Sequence, residues 1–273
     1  VLCADVQVLV PVAEDEQVDE VEEGLAADPD HGQHDAGVEE PVGLGPHYAP
    51  AGMSELPPNP ALVERRIVST AFLIAAAAAI LQSVGHLTNF AFDADIEALN
   101  ADGEQNVVSW ASSMSTFAAG FFLFLPAVAA GALDRVTLAL VGAITFFSLD
   151  DALSIHERLA ERSIDVLDAE VSLQRIVWPI VYLPSLVFVF VMLWRMAQAN
   201  SGPMGTAIKV GLMLLVAAVV AEVTSALYLG EGDEEAWANV VEVTLEEGAE
   251  LAGWILIAGA LAARAYVLAE RNE

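Results

Sequence analysis

The chain has 273 residues, of which 56% are hydrophobic, and a mean hydropathy of +0.54. That is too apolar for one soluble domain. Acidic residues outnumber basic ones 39 to 10, which argues against a nucleic-acid partner, since nothing would neutralise phosphates. The single cysteine, Cys3, excludes an internal disulfide framework.

Residues 1–52 carry 13 Asp or Glu, no Lys or Arg, and no sustained period of 2 or 3.6. Such a segment cannot bury enough surface to offset its ordering entropy. It also lacks the basic and apolar regions of a signal peptide. Met53-Ser54-Glu55 looks like a natural start, so residues 1–52 are expected to be a misassigned upstream translation; the alternative is a native acidic tail. Residues 1–57 are accordingly assigned to a disordered acidic tail and residues 58–273 to a membrane domain.

The expected fold class is all-α, an integral membrane bundle of six transmembrane helices. The spans fall at about 67–87, 107–131, 136–156, 176–195, 208–229 and 243–266, lengths matched to a hydrocarbon core of about 30 Å. Between the third and fourth, residues 157–174 alternate acids with apolar residues at helical spacing, as a short interfacial helix would. With both termini cytoplasmic, Arg65, Arg66, Arg135, Arg195, Lys209, Arg264 and Arg271 fall inside. Only Arg158, Arg162 and Arg175 fall outside. The positive-inside rule favours that orientation, and the plasma membrane is the expected location.

Three spans are too short unless they carry acids into the lipid. Arg135 and Asp150 are separated by 14 uncharged residues, Lys209 and Glu222 by 12, and the run from Leu251 to Ala263 is 13 long. A crossing needs about 20. Asp150, Asp151 and Glu222 are therefore expected inside the membrane, with Glu246, Glu247 and Glu250 as further candidates. Intramembrane acids are costly and are read by default as functional. In the orientation above, His86, Ser109, Ser112, Ser113, Asp150, Asp151, His156, Glu222, Ser225 and the sixth-span glutamates gather towards the outer ends. An outward-facing carboxylate and histidine cavity follows. Regular helix geometry cannot aim Asp150, Asp151, Ser154, His156 and Glu157 at one atom, so either one acid works or the helix ends near Leu153. Gly248 and Gly253 would allow close approach of another helix.

Two chemistries fit these residues, and by a small margin the first is favoured over the second. One is a divalent metal site (zinc, iron, manganese or magnesium) on Asp151, His156, Glu247 and Glu250, with His86 as a fifth ligand, serving hydrolysis of a lipid or other amphiphile. Asp150 and Glu222 are its candidate catalytic acids. The other is proton or sodium traffic, with Glu222 as carrier because it is deepest. A non-catalytic scaffold or sensor is a third option. In the plain structural reading, Glu246 and Glu157 belong to a wet rim, and His86, Ser112 and Ser113 pack helices.

Two resemblances bear on this. The acidic, lysine-poor, Ala/Val-rich composition resembles that of haloarchaeal proteins, across the whole chain, and implies no activity. In molar salt the Debye length falls to about 3 Å, which screens the self-repulsion. The depth of the proposed metal site resembles that of ceramidase-like membrane hydrolases, but those use three histidines, whereas the spans here hold only His86 and His156.

Overall fold

In a computed structural model, residues 59–101, 106–156, 158, 159, 162, 174–228 and 237–270 are described. The acidic N-terminal segment lies outside these residues, as does nearly all of the expected interfacial helix. The described part is all-α. Its helices are α1 (Pro60–Ala91), α2 (Val107–Ala129), α3 (Arg135–Leu153), α4 (Gln174–Ala199), α5 (Pro203–Tyr228) and α6 (Trp237–Glu270), with a short 3-10 turn at Glu97–Leu99. Among the described residues, six helices are long and apolar enough to cross a membrane, as expected.

The helix starts are written in the sequence. Asn59, Asn106 and Asp134 cap α1, α2 and α3, each accepting hydrogen bonds from amides of the first turn, and Pro60 follows Asn59 where its missing N–H costs nothing. α1 and α6 run 32 and 34 residues, well beyond the expected spans. At 1.5 Å per residue α6 is about 51 Å long, so it projects past a hydrocarbon core of about 30 Å.

α6 is the axis of the bundle. More than half of its spanning window is buried (56%), against 22% for α1 and α3. It packs on α1, α2 and α5; α3 lies beside α2 and α4 beside α5, and a thinner α3–α4 contact closes the circuit. Helices α2, α3, α4, α5 and α6 therefore form a closed ring, and α1 sits outside it against α6 and, less extensively, α5. Leu193, Ile208, Leu212, Leu256, Ile257 and Leu261 are among its fully buried side chains. The outer faces carry Leu73, Ile80, Leu81, Ile180 and Leu183, all exposed, which is the surface lipid tails require.

Glycines set the closest crossings. A Cβ on Gly253 would lie 3.0 Å from the Gly211 carbonyl oxygen, and one on Gly211 would lie 2.8 Å from that of Gly253. A Cβ on Gly259 would collide with Ala71 of α1, and one on Gly248 would lie 3.1 Å from Gln82 Oε1. The close approach expected at Gly248 and Gly253 is thus present. Attraction between helices in lipid comes largely from such packing. Gly253→Val should destabilise the bundle by about 1–3 kcal/mol or more. Gly142→Ala, which enters open space on α3, should be neutral or stabilising. Thermal unfolding in detergent distinguishes the two.

Asp134 supplies a second check. Its Oδ1 accepts from the Thr137 amide at 2.6 Å, and that bond holds its carboxyl below the ordinary 3.8. The cap contributes above the unfolded value and is lost as pH falls through the lower, folded one. Asp134→Ala should cost about 1 kcal/mol at neutral pH. Asp134→Asn should keep the cap and remove its acid sensitivity, read by unfolding midpoints at pH 7 and pH 3.

Candidate functional site

Polar side chains cross every seam of the five-helix ring, at the end where α3 stops. Between α2 and α3, Ser113 Oγ donates to the Ser148 carbonyl and Ser148 Oγ to the Ser113 carbonyl, both at 2.8 Å. Between α3 and α4, Tyr182 donates its hydroxyl proton to Asp150 Oδ1 at 2.8 Å. Between α4 and α5, the Trp178 indole donates to Glu222 Oε1 at 2.5 Å. Between α5 and α6, Glu222 interacts electrostatically with Glu242, Glu246 and Glu250. Ser112 Oγ closes the circuit from α2, donating to Glu250 Oε1 at 3.0 Å.

Asp150 is held by a local turn as much as by the ring. α3 ends at Leu153, and Ser154 takes the left-handed conformation (φ 52°, ψ 44°) with its amide on the Asp150 carbonyl. That conformation is uncommon for a residue with a Cβ. It folds the chain back so that the His156 amide reaches Asp150 Oδ1 at 2.9 Å and His156 Nδ1 reaches Oδ2 at 3.1 Å. A carboxylate can only accept, so Nδ1 carries the proton. Asp150 is buried, and its two oxygens already accept three hydrogen bonds from the protein. This is one of the two outcomes that helix geometry allowed, and it joins residues six apart that no regular helix would.

The ring of His156 lies 5.2 Å from that of Trp178, and Trp178 packs edge-on against Tyr182 at 5.8 Å. His156 also stands within electrostatic range of Glu222. The structure therefore brings Asp150, His156 and Glu222 into one network through Trp178 and Tyr182, and joins Glu250 to it through Glu222. Asp151 and Glu247 are half-buried beside them in sequence, each with interactions of its own. Glu246 shares a hydrogen bond with Glu242 and lies about 6 Å nearer the start of α6 than Glu250. His86 is buried on α1, and its Nδ1 accepts the Ala101 amide at 2.9 Å, which ties the α1–α2 loop to the helix. Among the described residues, no three His, Cys, Asp or Glu side chains converge closely enough to hold a metal ion. Glu157 lies outside them.

Trp178, Tyr182 and the contact of Ser112 with Glu250 are not apparent from the sequence. Trp178 looks like an interfacial belt residue, and Ser112 like a packing serine. The available signal was the pair Trp178 and Tyr182 at i and i+4, the polar-tipped aromatics at the start of a span otherwise built of Val, Leu, Phe and Ile.

A family model described as a domain of unknown function (DUF8692) matches residues 66–264. The chain belongs to this family. The DUF8692 match begins within α1 and ends at Arg264 in α6, so it takes in four helices whole, most of α1 and α6, and every member of the network. No curated protein and no solved structure matches the chain.

The hydrogen bond from Tyr182 is open to direct test. Tyr182→Phe keeps the ring among Phe146, Phe147 and Trp178 and removes one donor from a buried carboxylate. The expected loss is about 1–3 kcal/mol. Asp150→Asn in the same background should add much less than it does alone, which a double-mutant cycle on thermal unfolding would measure.

Proposed function

We propose that this is a proton- or sodium-coupled transport protein of the plasma membrane, with both termini cytoplasmic and Glu222 as the ion-carrying residue. The observation that supports this is the company Glu222 keeps. Its interaction partners are the Trp178 indole, one base (His156) and the carboxylates of Glu242, Glu246 and Glu250, with no Lys or Arg among them. Carboxylates gathered between apolar helices repel one another and must be protonated or matched by cations. A site of that kind takes up and releases small cations as its access to water changes.

Asp150 has a different part. With its oxygens occupied by Tyr182 and His156, it fixes the imidazole's orientation and proton position. His156 then faces Trp178 and stands within electrostatic range of Glu222. A metal-dependent hydrolase would draw on the same acids, with Asp151, His156, Glu247, Glu250 and His86 around zinc, iron, manganese or magnesium. It requires at least three ligands on one ion, and no such group forms among the described residues.

Reconstitution into liposomes tests the proposal. Imposed pH or sodium gradients should dissipate faster with the protein than without it, read by an entrapped pH- or sodium-sensitive dye. Glu222→Gln should bring the rate down to that of protein-free vesicles while leaving the folded yield intact. Equal rates for both proteins would remove the proposal. Stoichiometric metal in the same preparation, lost in Glu250→Gln, would favour the hydrolase instead.

A further inference from the structure

The opposite end of α6 carries a charge that neither the acid network nor the transport reading uses. Arg264 lies 14 residues beyond Glu250, about 21 Å along the helix. It is half-buried. Its Nη1 points to the Met196 sulfur of α4 at 3.8 Å. A thioether is a weak acceptor and carries no charge. Among the described residues the guanidinium makes no ion pair, and it has no interaction beyond this one. Covering a cation without a counter-charge is expensive.

The surroundings narrow what would neutralise it. Gly253 of α6 crosses Gly211 of α5 in antiparallel fashion. Eleven residues further along α6 and eleven back along α5 bring Arg264 level with Asn200, in the turn between α4 and α5. The crossing of Gly259 with Ala71 likewise brings Arg264 near the level of Arg66 on α1, which is exposed, and Arg195 on α4 is exposed one turn from Asn200. Glu64 of α1 also reaches this turn, since a Cβ on Gly202 would lie 3.3 Å from its Oε1, but Arg66, Arg195 and Arg264 leave this end net cationic, and it lies where a span of about 30 Å would meet the headgroups. A guanidinium offers its donors as a planar fork, which matches the oxygens of a phosphate.

We infer that Arg264, where its guanidinium meets Met196 of α4, is a binding site for a phosphate group, supplied by an anionic phospholipid headgroup at that end of the bundle. The inference is independent of the transport reading. It places a lipid between the helix that bears Tyr182 and Trp178 and the helix that bears the glutamates, at the end away from them.

The test uses the full chain, delipidated in a neutral detergent and titrated with phosphatidylglycerol or with diacylglycerol, which lacks the phosphate. Bound lipid is counted by native mass spectrometry and followed by thermal unfolding. Phosphatidylglycerol should bind and raise the midpoint, and diacylglycerol should not. Arg264→Gln should weaken phosphatidylglycerol binding about tenfold or more, the factor expected for losing a charge-assisted hydrogen bond. Arg195→Gln, at an exposed arginine, should change it little. Competition by inorganic phosphate would support the same site with a free anion as its occupant; no competition would support the headgroup. If Arg264→Gln does not fold, Arg264→Lys keeps the charge and loses the fork, and it should bind several-fold more weakly. Unchanged affinity in the substituted protein, or equal binding of the two lipids, would overturn the inference.

Discussion

The thickness of the bilayer governs everything else in this molecule. Runs of 12 to 14 uncharged residues cannot cross a hydrocarbon core of about 30 Å, so a span built on them carries a charged side chain with it. Lipid will not accept such groups, and the bundle has to turn them inward. The ring of α2 to α6 is the solution adopted here, with a hydrogen bond or a charge contact at each seam where the acids sit. Fold and site are thus one construction.

The residues of the network differ in the company they keep. Asp150 has its capacity filled by one tyrosine and one histidine, both fixed by rigid geometry. Glu242, Glu246 and Glu250 share α6 and face Glu222 with little opposite charge nearby. Groups fixed by several donors hold shape, and like charges held close together are where cations are exchanged with the surroundings. That contrast, more than the number of acids, directs attention to the α5–α6 seam.

The sequence makes the count of spans legible, because hydropathy and charge spacing are one-dimensional quantities. It also makes Gly248 and Gly253 legible as close contacts. The order of helices around α6 is not legible. In lipid, a helix is apolar on its buried face and on its outer face alike, so no amphipathic stripe marks which neighbour it meets. The pairing of Asp150 with His156 is hidden for a different reason. It depends on Ser154 adopting a left-handed conformation, and serine gives no such signal where glycine or asparagine would. Trp178 was masked by its own chemistry, since an indole near a span end is usually an interfacial anchor.

One feature of α4 extends this picture. Pro179 and Pro184 both lie within the helix, and each removes a backbone hydrogen bond to the residue four before it. Trp178 and Tyr182, the two donors that reach Glu222 and Asp150, sit on this stretch of missing rungs. The segment is consequently a compliant length of backbone facing the acids. A change of charge at either carboxylate can be absorbed there by a small flexing of α4, without disturbing the glycine crossings that lock α6 in place.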